Sequence, residues 1–190
     1  MRVKSVEVRD DLDYQVCSVL ATVIGVVLDP DSEWQAMAKL PHFYLENQVY
    51  FITTATEGRK PIFAKEEDAL ILWNVINNQR ERERFHLLGF VIMPDHLHLV
   101  IIPRGGTRIS FIMQEIKKGS ARLINKLRGR WGKLWRDEYY DYIIRDEEDL
   151  REKLRYVHYN SVKKGLVEDE QRHPFSSANP KYERFLFKAW

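Results

Sequence analysis

Two short apolar runs, Leu87 to Met93 and Leu97 to Ile102, are joined through Pro94-Asp95 and His96. Each is too short for a helix and rich in β-branched residues, and a Pro-Asp pair breaks both periods, so the segment predicts a β-hairpin. The flanking chain is equally regular. Gln48 to Ala55 reads as a strand. Glu66 to Arg82 opens on three acidic residues and then places Ala69, Leu72, Trp73 and Ile76 on one helical face. After Gly105-Gly106, a helix is expected from about Thr107 to Leu127, burying Ile109, Ile112, Met113, Ile116, Leu123, Ile124 and Leu127. Tyr139 to Ile144 predicts a strand. A last helix is expected from Glu147 to about Lys164, capped by Gly165, with Pro174 beyond. The order β-α-β-β-α-β-α predicts an α+β, ferredoxin-like antiparallel sheet with two helices on one face and an extra C-terminal helix. That fold hosts many activities, so function has to come from the residues.

Two histidines sit inside the hairpin. Side chains alternate along a strand, so His96 and His98 point the same way while Leu97 enters the opposite layer. Such a pair can grip one divalent ion, though many H-x-H strands carry none, and two imidazoles are an incomplete set. The last helix offers a third donor. Tyr156 and Asn160 are four residues apart and share a face, whereas Leu150, Leu154 and Val157 mark a core-facing stripe. An amide oxygen from Asn160 suits Mg²⁺ or Mn²⁺. A phenol has a pKa near 10, so it attacks phosphorus poorly unless its proton is drawn off or the phosphate is polarised by a metal. Together, His96, His98, Asn160 and Tyr156 supply a metal site, a polarised phosphate and a nucleophile. Tyr159 is the weaker alternative nucleophile, one position from Asn160.

The 190 residues carry a formal net charge of only +2, so a nucleic-acid role must rest on where the cations sit. Lys118, Arg122 and Lys126 form an i, i+4 stripe opposite the apolar stripe of their helix. Arg128, Arg130, Lys133 and Arg136 follow in a loop, and Lys163 and Lys164 lie just past Asn160. Such clusters can track a phosphate backbone, although any one of them is more often a solvated helix face. Trp131, Trp135, Tyr139 and Tyr140 lie among them and offer rings for base stacking, with some expected in the core.

Composition closes other routes. With 44% apolar and 31% charged residues the chain is expected to fold as a soluble domain. Cys17 is the only cysteine, which excludes a disulfide framework and a multi-cysteine zinc site, suits a reducing cytoplasm, and makes it an expected core residue. The apolar run Val16 to Leu28 is too short to span a bilayer easily, and acidic residues precede it, so neither export nor membrane attachment is expected. Residues 1–40 read as an extension of unclear structure, the first 36 dispensable, ahead of a single catalytic domain at 41–190. Ser176-Ser177 lacks a G-x-S-x-G setting, Gly105-Gly106 lacks the lysine of a P-loop, and His86 and His158 have no partner at ligand spacing.

The segment from Phe90 to Ile102, with Met93-Pro94-Asp95-His96-Leu97-His98 at its centre, resembles the MPxHxH element of single-tyrosine HUH transposases. Tyr156 to Val167, followed by His173-Pro174-Phe175-Ser176-Ser177, resembles the Y-x-x-x-N-P-V signature and tail of REP-associated tyrosine transposases. The resemblance covers about residues 40–180. It implies that His96, His98 and Asn160 ligate Mg²⁺ or Mn²⁺, and that Tyr156 forms a 5′-phosphotyrosine. It further implies single-stranded DNA marked by a hairpin as the partner, and a monomer or homodimer. Asparagine at 160, where mobile-element relatives typically have glutamine, favours the REP-associated branch. Ser161 replaces the usual proline, which is expected to relax a turn there, and the extension has no counterpart in the resemblance. A hairpin-binding protein without turnover and an H-x-H metal hydrolase stay open as alternatives; the latter would tolerate Tyr156→Phe.

Overall fold

The computed structural model describes residues 48–188; Cys17 and the expected division near residue 40 lie outside them. Four strands form one sheet: β1 (Val49–Ala55), β2 (Phe85–Ile92), β3 (His96–Pro103) and β4 (Tyr140–Ile144). Their spatial order is β2-β3-β1-β4 and every pairing is antiparallel. With α1 (Glu66–Glu81) between β1 and β2 and α2 (Ile109–Arg128) between β3 and β4, this is the ferredoxin-like arrangement. The hairpin strands run further than the apolar runs suggest. Phe85 and His86 extend β2 through the pairs Phe85↔Pro103 and His86↔Ile102, and β3 opens on His96 itself, which pairs with Ala55 of β1.

The two faces of the sheet bury different sets of side chains. Tyr50, Ile52, Phe90, Ile92, Leu97, Leu99 and Ile101 pack with Ala69, Leu72, Trp73 and Ile76 of α1 and with Ile112, Met113, Ile116 and Ile124 of α2. The alternate residues Phe51, Val91 and Val100 join Leu150 and Val157 of α3 (Glu147–Lys163) on the opposite face. Two-residue alternation, shifted once by the irregularity between Leu87 and Gly89, therefore sorts the hairpin into a purely apolar layer and a layer that also carries both histidines.

Helices α1 and α2 run antiparallel. Val75 lies against Gly119, where a Cβ would meet Val75 Cγ1 at 3.2 Å. Arg128 on the last turn of α2 bonds Glu67 at 2.8 Å and the buried Asp68 at 3.1 Å, both on the first turn of α1. The expected buried stripe of α2 fails at two positions: Leu123 is 42% exposed and Leu127 is 54% exposed. The inner line is Ile112, Ile116, Ser120 and Ile124, which leaves Leu123 turned aside, and Leu127 lies level with the very start of α1, where its partner layer ends. Ser120 takes a core place because its hydroxyl bonds the carbonyl of Ile116 and receives the indole N–H of the buried Trp135 at 3.0 Å.

Helix α3 is tethered at both ends. Asp146 caps it by accepting the N–H of Asp149, and Asp149 accepts the hydroxyl of Tyr142 on β4 at 2.9 Å. Gly165, at φ 67°, ends it as a Schellman motif, with the N–H of Leu166 on Ser161 and that of Gly165 on Val162. Ser161 is thus helical and buried; there is no turn at this position for the serine to relax. Mid-helix, Leu154 approaches so close to Gly89 of β2 that a Cβ there would lie 2.5 Å from Leu154 Cδ2. The tail then runs along the free edge of β2: Ile92 donates to Phe175, Ser177 to Phe90 and Phe187 to Leu87. This covers an edge that would otherwise expose unpaired backbone. None of the described helices is long and apolar enough to cross a membrane.

Candidate active site

His96 and His98 project from β3 towards α3, their ring centroids 4.8 Å apart. Both are buried, on the face that Val100 continues. Each ring is oriented through Nδ1. His98 Nδ1 lies 2.7 Å from the hydroxyl of Thr53, directly across the ladder on β1. His96 Nδ1 lies 2.6 Å from Oδ1 of Asp95, the hairpin-turn carboxylate. Asp95 in turn bonds Arg59 at 3.0 Å through Oδ2. The Arg59 guanidinium is also 3.3 Å from His96 Nδ1. Once that nitrogen donates to Asp95, both atoms carry protons, and the Arg59 contact is a proximity rather than a bond. Burial alone would raise the Asp95 carboxyl, but the bond from His96 and the charge and bond of Arg59 outweigh it and bring it down to about 2. A fixed carboxylate on one histidine and a hydroxyl on the other leave both Nε2 atoms as lone-pair donors.

Asn160, 2% exposed, reaches the same spot from α3, its Nδ2 3.3 Å from Nε2 of His98. A primary amide nitrogen only donates, so Nε2 of His98 is the acceptor and its Nδ1–H faces Thr53. Two neighbouring polar atoms, Nε2 of His96 and Oδ1 of Asn160, are buried without a hydrogen-bond partner. Leaving both unpaired costs on the order of 1–3 kcal/mol each. The cluster thus offers open lone pairs on Nε2 of His96 and Oδ1 of Asn160, and a third on Nε2 of His98 once the Asn160 amide N–H is turned off it, the donor set that Mg²⁺ or Mn²⁺ accepts when water and phosphate oxygens complete it.

Tyr156 sits one turn before Asn160, its ring edge-on to His98 at 5.3 Å and to Phe51 at 5.9 Å. Phe51 also stacks on His98, at 5.4 Å, so that the three rings form one cluster. Tyr159 is 53% exposed and makes none of these ring contacts. The structure thus brings together His96, His98, Asn160 and Tyr156. It also adds Thr53, Asp95 and Arg59, which the linear pattern does not mark: their signal is ladder register and turn geometry, not spacing. His158, turned away from the cluster, bonds the hydroxyl of Ser177 at 2.9 Å and so ties α3 to the tail.

The basic residues divide. Lys118, Arg122 and Lys126 are exposed along α2, and Lys163 and Lys164 are exposed at the end of α3. Arg130 and Arg136 are half-buried, and the backbone N–H of Arg136 bonds the carbonyl of Ala55, the strand partner of His96, at 3.0 Å. Arg128 is committed to Glu67 and Asp68, and Lys133 to Asp137 at 2.6 Å. Trp135 and Tyr139 belong to the core, whereas Trp131 is 96% exposed. Lys117, Lys118, Lys133 and Arg136 line an open groove of about 640 Å³ together with Phe111 and Trp135.

The segment that carries these residues is also the one that matches a known family. The family model described as "Transposase IS200 like" matches residues 44–160, from just before β1 to Asn160. A REP-associated tyrosine transposase of Escherichia coli is 24% identical over 152 residues, covering 80% of this chain and 88% of the relative. A Haemophilus influenzae protein described in the same terms is 31% identical over 151 residues, covering 70% of this chain and 81% of its own length. Among solved structures, a REP-associated tyrosine transposase bound to a REP hairpin shares the fold, with a TM-score of 0.65 and 23% identity over 79% of this chain and 88% of that one. With the family model spanning more than half of the sequence, the chain belongs to the IS200-like transposases.

Proposed function

We propose that this chain cleaves and rejoins single-stranded DNA marked by a hairpin, using Tyr156 as nucleophile and a divalent ion held by His96, His98 and Asn160. The observation that carries the reading is the buried cluster itself. Nε2 of His96 and Oδ1 of Asn160 lack protein partners beside His98, whose ring Tyr156 meets edge-on. Neither a hairpin binder without turnover nor a metal hydrolase requires a phenol at that point.

Mg²⁺ or Mn²⁺ bound by the three side chains would withdraw charge from a non-bridging phosphate oxygen. Thr53 and Asp95 hold the two imidazoles in the tautomer that presents Nε2. Phe51 packs against both His98 and Tyr156 and so limits how far the phenol can swing. The phenolic oxygen of Tyr156 attacks phosphorus and loses its proton. The P–O3′ bond breaks, and the departing 3′ oxygen takes a proton to become a free hydroxyl. One phosphodiester has been exchanged for a 5′-phosphotyrosine ester, so a second 3′-hydroxyl can reverse the step without ATP. The hairpin partner rests on the relative solved with a REP hairpin. Lys118, Arg122, Lys126, Arg130, Arg136, Lys163 and Lys164 are the proposed DNA contacts.

The test is a denaturing gel of labelled hairpin DNA incubated with Mn²⁺ and either wild type or Tyr156→Phe. A slow-migrating covalent band that disappears in the variant is expected. Cleavage that survives Tyr156→Phe with no covalent band would reject the reading in favour of a metal hydrolase.

A further inference from the structure

We propose that Trp131 is a base-stacking residue: the loop after α2 presents its indole to an unpaired base of the DNA, at the end of a phosphate track along Lys118, Arg122 and Lys126. The proposal builds on the DNA reading above and concerns a surface formed by α2 and its loop, whereas the histidines lie on the α3 face of the sheet.

Folding alone gives no reason for this tryptophan. Exposed to 96%, it contributes almost none of the apolar burial an indole can supply. The loop nevertheless holds it in place. Gly129 leaves α2 at φ 59°, the N–H of Arg130 bonds the carbonyl of Asn125 at 2.8 Å, and the amide of Asn125 bonds the carbonyl of Gly132 at 2.9 Å. Gly132, at φ 93°, turns the chain back, after which Leu134 and Trp135 are buried against β1 and its following turn. Asn125 thus clamps both ends of a tip whose outermost group is an indole, one end through its backbone carbonyl and the other through its side-chain amide. With the backbone beneath the indole already fixed, less conformational entropy is lost on binding than in a free loop.

The surroundings choose the partner. Between Glu115 and Asp137 the chain carries eight lysines and arginines and no acidic residue, in a protein whose formal net charge is +2. Arg128 and Lys133 are neutralised by acidic neighbours, but Lys118, Arg122, Lys126 and Arg130 form no ion pair among the described residues. Lys118 to Lys126 spans about 12 Å of helix axis, and the loop that carries Trp131 follows directly on the end of this helix. A line of unpaired cations leading to an exposed indole is the combination that single-stranded nucleic acid uses, with phosphates on the cations and a base on the ring. Leu123 and Leu127, also exposed on α2, make a second copy of this chain the competing occupant.

The test uses the full chain in EDTA, so that binding is read without cleavage. The probes are a labelled DNA hairpin with a thymidine loop and single-stranded flanks, and a blunt duplex of the same stem. Trp131→Ala should weaken hairpin binding about tenfold, the loss of one base–aromatic stack. It should change duplex binding less than about twofold, and Trp131→Phe should recover most of the hairpin affinity. Equal losses on both probes, or none on either, would overturn the proposal. So would a fall in self-association in Trp131→Ala measured by sedimentation, which would assign the ring to a second copy. Absence of a covalent band from wild type and Mn²⁺ would reject Tyr156 chemistry while leaving the hairpin-binding result to decide Trp131 on its own.

Discussion

The carboxamide of Asn160 on α3 meets Nε2 of His98 on β3 at 3.3 Å. This contact joins residues 62 positions apart and makes the helix, as well as the hairpin, part of the proposed metal site. Everything that sets the height of α3 over the sheet therefore also sets the geometry of the cluster.

The atoms behind the imidazoles should matter almost as much as the imidazoles. Asp95→Asn keeps the turn but weakens the acceptor for His96, and Thr53→Val removes the partner of His98. Each is expected to weaken Mn²⁺ binding roughly 10- to 100-fold, with Asp95→Asn the more severe. Calorimetric titration of the DNA-free protein measures this. Wild-type affinity in both variants would show that neither residue orients a ligand.

Arg128 and Arg122 should part company despite their sequence proximity. Arg128→Ala strands the buried carboxylate of Asp68, so the melting temperature should fall by several degrees while DNA affinity stays nearly constant. Arg122→Ala should leave the melting temperature unchanged and reduce both DNA affinity and its salt dependence. Thermal melts and binding at two salt concentrations separate the two, and the reverse pattern would refute the division.

Gly89→Ala drives a methyl into Leu154, whose Cδ2 would lie 2.5 Å from the new Cβ. Either Leu154 leaves its rotamer or α3 lifts, at a cost of about 1–3 kcal/mol. Because α3 carries Tyr156 and Asn160, covalent-adduct formation should drop even at temperatures where the variant is fully folded. Trimming Leu154 in the same protein should restore part of the rate; a purely additive double variant would argue that the clash does not reach the site.

Acid should destabilise the fold well above the range in which carboxylates titrate. Burial, with the charge of Lys181 adding to it, pushes His173 down to about 4, and burial lowers His158 as well. In the unfolded chain both take up a proton near pH 6.5. Between pH 6.5 and 4 the unfolded state thus binds more protons, so stability is intact above pH 6.5 and is lost as the pH falls towards 4. Melting temperatures at pH 7.5 and pH 5 should differ clearly, and less so in His173→Asn, whose amide can still accept the N–H of Phe175. An equal pH response in that variant would exclude His173 as a source.

The sequence by itself determined the element order, the shared face of His96 and His98, and the one-turn pairing of Tyr156 with Asn160, because these follow from periods of two and 3.6 within a single element. It also marked Gly165 as a stop, since a left-handed residue after a helix is a local requirement. What one element meets on another was decided only in three dimensions. Thr53 faces His98 through ladder register, and Asp95 turns onto His96 through the hairpin. Arg128 proved structural because an acidic helix start lay opposite it, while Leu123 and Leu127 stayed exposed because periodicity gives a helix its apolar side but not the extent of the layer beneath it. Trp131 and Trp135, four residues apart in the same basic stretch, ended one in solvent and one in the core. That separation follows from two positive-φ glycines and one asparagine clamp, and loop conformation of this kind has no period to read.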